Sequence, residues 1–335
     1  MKKMRWVIPG LLLLSLLLNK RIRAQRTQPR YMVKIYEDND FFNIQGHGTD
    51  NSYTNGTRID FFYTKEKRSG FFIDRIIPVA GVNSVNTYGW GIMQIMVTPN
   101  DICKTEYQPN DYHYAGALYV THTLYSYNEQ KKYNFQTELI AGIRGPGTYA
   151  GETQTAIHKM IGYQEPMGWD NQLSTIPLIN VNFTTERQVF AWNNFLEIVG
   201  GAQASAGTML DAVTVYPLIR LGKMAPYFNG YFSHYQSSYS AGKKVKTQFY
   251  LTAKPKISFV AHNALLQGHP GNEIAPITKQ PVEELSINHV LPEFEFGMMI
   301  VHGNFSLGYT QTHSSSYVKG LYDHNVGNLS FYISW

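Results

Sequence analysis

The chain has a single cysteine, Cys103, so no internal disulfide can staple it, and no cysteine follows its apolar N-terminal run to carry a lipid anchor. Long apolar runs are equally scarce. The only one, Trp6 to Leu18, lies behind a basic start of Lys2, Lys3 and Arg5 and is too short to cross a bilayer as a helix. It reads as a secretory signal with cleavage after Ala24, leaving one mature domain over 25–335. Charge is sparse too, at 16% of residues. Six of the 29 Lys and Arg (Lys2, Lys3, Arg5, Lys20, Arg21, Arg23) belong to the leader, which leaves 23 against 24 acidic residues, a net charge of −1. A nucleic-acid partner is therefore not expected. There is no internal repeat and no Gly/Ser-rich or Pro-rich linker, so a single domain is the simplest organisation.

What the chain does have is 24 Tyr and 18 Phe in segments of about ten residues with period-two alternation, separated by turn-rich pieces. An exported, Tyr-rich chain without helical spans points to an all-β fold, a transmembrane antiparallel β-barrel. Strands are predicted at Tyr31–Glu37, Thr54–Tyr63, Tyr88–Val97, Ala115–Tyr127, Tyr133–Arg144 and Leu178–Phe190. Six more follow at Trp192–Ala206, Met209–Lys223, Thr247–His262, Pro292–His302, Asn304–Thr312 and Asn325–Trp335. Tyr227–Tyr235 has the aromatics of a thirteenth, but single-chain barrels close with an even number of strands, so it is assigned to a loop. A soluble β-sandwich ending on an edge strand is the competing architecture.

With the mature N-terminus on the periplasmic side, strand parity sends five polar clusters to the extracellular rim: Glu37 to Asp40, Tyr53 to Gly56, Gln94 with Thr98 to Asp101, Asp111 to Gly116, and the segment 146–177. That last segment breaks the alternation. GETQTAIHKMIG, residues 151–162, reads as a short helix in an extracellular loop. Gln154 and His158 are four apart and share a face, while Ile157, Met160 and Ile161 form an apolar stripe able to dock on the barrel wall. His47, His122, His262 and His302 have no polar neighbours at useful spacing and read as structural.

Hydrolase nucleophile signals are missing: there is no G-x-S-x-G elbow and no H-E-x-x-H helix. The rim instead combines an imidazole, which titrates near neutrality, with hard oxygen donors. That set suits water activated by His158 with a cation holding the developing oxyanion. Asp40 with loop carbonyls and waters would serve calcium or magnesium, whereas zinc lacks a second His or Cys at ligand spacing.

One block resembles the lipid A 3'-O-deacylases of the Gram-negative outer membrane nearly position for position: Gly145-Pro146, Gly151-Glu152, Gln154, Ile157-His158, Ile161-Gly162, Glu165-Pro166 and Gly168 to Leu173. Glu37 with Asn39-Asp40, Asp50 with Tyr53 to Gly56, Gln94 with Thr98-Pro99, and Asp111 with Tyr114 to Gly116 agree in order. The resemblance implies a twelve-stranded barrel with its site between the wall and a loop helix, a requirement for Ca2+, and removal of the 3'-linked acyloxyacyl chain from lipid A. It carries His158 over as the base, places Asn39, Asp40, Thr54 and Gln154 at the site, and makes Asp40 a metal carboxylate. Glu165, or Gln164 beside it, takes the place of a second metal ligand. The chain departs from the family at Asp111-Tyr112-His113-Tyr114, where many members have Asp-Arg-Pro-Tyr and thus a cation. The expected partner is lipid A or lipopolysaccharide of the outer leaflet, met by a monomer. A phospholipase of the same membrane and a non-enzymatic small porin or adhesin are the alternatives.

Overall fold

The computed structural model describes residues 30–44, 52–65, 69–240, 243–268 and 273–335; the leader, His47 and Asp50 lie outside them. Twelve antiparallel strands close into a barrel. In chain order they are β1 Tyr31–Asn39, β2 Ser52–Thr64, β3 Val85–Thr98, β4 Ala115–Asn128, β5 Tyr133–Arg144, β6 Ile176–Trp192, β7 Leu196–Gly207, β8 Leu210–Lys223, β9 Thr247–Asn263, β10 Val290–His302, β11 Phe305–Ser314 and β12 His324–Ser334. Each pairs with its chain neighbours, and β1 closes on β12 with Tyr36 opposite Ser330. All twelve predicted strands are present. The start displaced furthest is that of β7, where Asn193, in the left-handed region at φ 52°, turns the hairpin before Leu196, and β3 starts earlier than expected, at Val85 instead of Tyr88.

Alternation sorts the wall as lipid on one side and polar lumen on the other require. Ile35, Ile59, Ile92, Val120, Ile179 and Val213 are exposed on the outside. Charges pair inside, with Arg58 on Asp60 (2.8 Å) and Glu138 (2.6 Å), and Lys256 near Glu295 (3.4 Å). The start of β1 and the C-terminal Trp335 lie at one end, the terminal end, where Tyr31, Phe61 and Trp335 stack.

The segment Tyr227–Tyr235 forms no strand. It folds as two short turns, Tyr227–Asn229 and Tyr231–His234, broken at Gly230 (φ 105°), and plugs the lumen at the terminal end. Tyr231 packs on Phe62 and Tyr125, and Tyr235 stacks on Tyr332 at 3.9 Å. At the opposite end, the rim, Tyr112, Leu173, Leu265, Leu266, Val282, Leu285 and Ile287 form an apolar cap. The cap is pinned by the buried Arg144–Glu273 pair (2.9 Å). Cavities of about 300 and 320 Å³ in the polar lumen, lined by Lys34, Glu186, Lys256 and Glu295 among others, lie between plug and cap.

Two helices lie against the outside of β3 and β4. The first, α1 (Phe72–Ile76), is fastened at the terminal end by Asp74, whose carboxylate is 2.7 Å from His122 Nε2. The second, α2 (Ala150–Ile161), belongs to the rim.

Candidate active site

Parity decides which face of the wall α2 meets. Trp90 and Ile92 on β3 and Val120 on β4 are exposed, so the even-numbered Met96 and Gly116 also point outward. Met96 is nevertheless buried, because Ala150, Tyr114 and Trp169 cover it. A Cβ on Gly116 would stand 2.6 Å from Ala150 Cβ, and one on Gly151 would stand 2.8 Å from the Trp169 ring. These two glycines are therefore what allow the helix to lie flat on the barrel's exterior. Gln94 donates to the Thr148 carbonyl at 2.7 Å and fixes the approach, while Gly162, at φ 74°, ends the helix by donating its N–H to the His158 carbonyl.

The docked face is not the predicted one. Ile157, Met160 and Ile161 are 41%, 74% and 61% exposed, and the face against the wall is Ala150, Gly151, Gln154 and His158. Small residues permit the close approach, and the two polar side chains find partners there. Trp169 Nε1 donates to Gln154 Oε1 at 2.8 Å, which leaves the buried Gln154 Nε2 with no hydrogen-bond partner among the described residues. His158 Nδ1 lies 2.5 Å from the Gln164 carbonyl. A carbonyl only accepts, so Nδ1 carries the proton and the neutral ring has Nε2 as its basic atom. Tyr163 packs edge-on against the same ring at 5.1 Å.

The strand register lays the remaining groups in a row across the outer wall. Asn39 on β1 is opposite Asn55 on β2, Asn55 is opposite Met96 on β3, and Met96 is opposite Gly116 at the foot of α2. At about 4.8 Å per strand this row spans roughly 15 Å. Asn39 Oδ1 accepts from Phe41 N at 2.8 Å, capping the turn that begins at Asp40, and Asp40 is buried. Thr54 owes its aim to a bulge: Tyr53 pairs with Val97 and Asn55 with Met96, so Thr54 is the extra residue. Its hydroxyl lies 2.7 Å from that of Thr98, two residues along β3 from Met96, with both side chains buried. Asn39 and Thr54 thus lie on the same outer face of the wall, on the two strands beside those that α2 covers. Glu37 joins them, accepting from Asn55 and from Thr57 Oγ1 at 2.7 Å. The motif Glu37 with Asn39-Asp40 contains this acid, but its sequence position alone does not single it out.

Glu165 stands apart. It forms a half-exposed ion pair with Lys159 at 2.8 Å, and Gln164 turns its carbonyl to His158 instead of its side chain to a metal. Among the described residues no group of three or more His, Cys, Asp or Glu is arranged to hold a metal. Asp40 is a buried carboxylate beside the row, the type of hard oxygen donor that calcium takes, but it is not part of an all-protein cage. At Asp111 to Tyr114 no cation is restored. His113 hydrogen-bonds the Glu283 carbonyl at 2.8 Å, and burial lowers its pKa, so the ring stays neutral. Asp111 accepts from Tyr322 at 2.9 Å and from the Asn100 N–H.

Comparison with known proteins agrees with this architecture. The solved structure of LpxR from Salmonella typhimurium superposes with a TM-score of 0.72 at 16% identity, covering 91% of this chain and all of that one. The β-domain of the Bordetella autotransporter BrkA (TM-score 0.44, 9% identity, 92% and 100% coverage) and the translocator domain of NalP from Neisseria meningitidis (0.40, 9%, 93% and 90%) are more distant barrels. No curated protein sequence matches the chain. The family described as outer membrane protein LpxR matches residues 11–335. With that match over nearly its whole length, the chain belongs to the LpxR family of outer-membrane proteins, the lipid A deacylase family that its motifs resemble.

Proposed function

We propose that the protein removes the 3'-linked acyloxyacyl chain from lipid A by hydrolysing its ester at the outer wall between α2 and β1–β4, with the rim facing outside the cell. The observation that carries this reading is the pairing, on one buried helix face, of an imidazole held through Nδ1 by a carbonyl with an amide N–H that lacks a partner. The first is a base of fixed tautomer, and the second is a donor for developing negative charge. A site on the exterior of a barrel is reached from the leaflet and not from the lumen, which favours a lipid substrate over a solute, and the plugged and capped lumen speaks against a porin.

In this mechanism His158 Nε2 takes a proton from water as its oxygen attacks the ester carbonyl carbon, and Gln154 Nε2–H donates to the resulting oxyanion. When the C–O bond to the sugar breaks, the imidazolium returns its proton to the 3'-oxygen, releasing the fatty acid and a free hydroxyl. Asn39 and Thr54 line the approach from the wall. Asp40, with backbone carbonyls and waters, would hold a calcium ion, which supplies additional positive charge to the oxyanion. A monomer suffices, since every named group comes from one chain.

Expression of the wild type and of His158→Ala in a lipid A-producing host, followed by mass spectrometry of lipid A, tests the assignment. Loss of the 3' chain in the wild type alone is expected, and unchanged loss in the variant overturns the base. Assay on glycerophospholipid with and without a chelator separates the phospholipase alternative and the metal role: cleavage of phospholipid in place of lipid A, or indifference to chelation, rejects the corresponding part.

A further inference from the structure

The stripe that does not dock needs an explanation. Ile157, Met160 and Ile161 form one exposed flank of α2, while Glu152, Thr155 and Lys159 form the other. The two flanks meet different surroundings. The polar flank lines a groove of about 530 Å³ shared with Asp170, Gln172 and Ile277, and Ile277 belongs to the segment that covers the rim. The apolar flank turns away from those loops.

Its height on the wall follows from the register. Trp90, exposed on β3 toward the terminal end, is six residues from Met96, the residue beneath Ala150. Six residues rise about 20 Å along a strand, or about 15 Å along the barrel axis at the usual tilt of roughly 40°. The apolar band of such barrels is about 25 Å tall. Measured from Trp90, the start of α2 at Ala150 therefore sits inside the band, and its exposed apolar flank lies on the same outer side of the barrel as Ile92 and Val120.

We infer that this flank is immersed in the acyl chains of the outer leaflet. It makes α2 an interfacial helix that keeps His158 and Gln154 at the depth of the lipid ester. The occupant is hydrocarbon, because the helix starts within the apolar band on the barrel's lipid-facing side and its charges are segregated toward the capping loops. The inference takes the site of the proposed deacylation as its setting, but immersion is measurable without turnover.

The test uses full-length protein with the exposed Cys103 replaced by Ser, spin-labelled at Met160→Cys, Ile161→Cys, Val120→Cys or Glu152→Cys and reconstituted in phosphatidylethanolamine–phosphatidylglycerol vesicles. Labels at 160 and 161 should collide with dissolved oxygen in preference to a water-soluble nickel chelate, as the label at 120 does, and the label at 152 should show the reverse. If 160 and 161 behave like 152, immersion is wrong. In a second arm, the double variant Met160→Asp, Ile161→Asp should lose about tenfold or more of its turnover of lipid A in bilayers, yet hydrolyse detergent-dispersed lipid A at the wild-type rate. Equal loss in both media would assign the flank to the site's own structure and overturn the inference. Lipid-type accessibility in a wild type that hydrolyses neither preparation would retire the deacylase reading while leaving immersion standing.

Discussion

Two histidines lie on the same outer strip of wall, one near each end, and each is served by a helix. At the terminal end His122 Nε2 meets the Asp74 carboxylate at 2.7 Å, with the rings of Trp90 and Phe71 at 4.4 and 5.2 Å. At the rim His158 Nδ1 meets the Gln164 carbonyl, with the Gln154 amide on the same helix face. The difference lies in the partner each ring is given. His122 spends Nε2 on a buried acid among aromatic faces, and its Nδ1 is buried with no hydrogen-bond partner among the described residues. That is a clasp for α1. His158 is held through Nδ1 by a carbonyl, so Nε2 is the ring atom able to take a proton, and it stands beside a donor.

The sharpest way to break the comparison is His158→Ala. Deacylation should fall about 10²- to 10⁴-fold, the usual worth of a general base, while the heat-resistant electrophoretic mobility of the folded barrel is unchanged. Next comes Gln154→Glu, which keeps the acceptor for Trp169 Nε1 but removes the free N–H. A loss of about 10²-fold in kcat is expected from one oxyanion donor, read by fatty-acid release from lipid A. Smaller again is Gly151→Ala. Its new methyl would meet the Trp169 ring at 2.8 Å and displace the residue that orients Gln154, and about a tenfold loss should follow with the barrel intact.

How much of this was legible without coordinates depended on which solvent each surface meets. Period-two alternation gave every strand, including the finish Phe331-Tyr332-Ile333, because lipid outside and polar lumen inside impose the same alternation all round the barrel. Gln154 and His158 could be joined by their spacing of four. The helix's docking direction could not be read. An apolar stripe turns inward when water surrounds the fold, but on the outside of a membrane barrel the rule loses its sign, and the small and polar residues took the wall. Thr54 is aimed by a bulge, which leaves no mark in the alternation. The motif gives Glu165 a place by position, whereas its partner is Lys159, six residues before it on an exposed surface. The even strand count keeps Tyr227–Tyr235 out of the wall, but nothing in its aromatics says that it folds back into the lumen.

The smallest expected effect on chemistry, and the one that completes the contrast, belongs to His122→Ala. Asp74 is fully buried, so deleting its imidazole partner costs about 1–3 kcal/mol, the penalty for a buried polar group that loses a hydrogen bond. The urea midpoint of the reconstituted barrel should drop, and α1, which exposes Phe72 and Ile76, should become the first segment open to protease. Deacylation should stay within about twofold of wild type, since no group of the proposed site touches this clasp. The double variant His122→Phe, Asp74→Leu should recover part of the lost stability, because removing both members of a buried hydrogen bond costs less than removing one. If His122→Ala instead cuts deacylation as deeply as His158→Ala at unchanged stability, then the two histidines do not divide into clasp and base, and the carboxylate-bound ring at the terminal end would have to be given a part in the reaction.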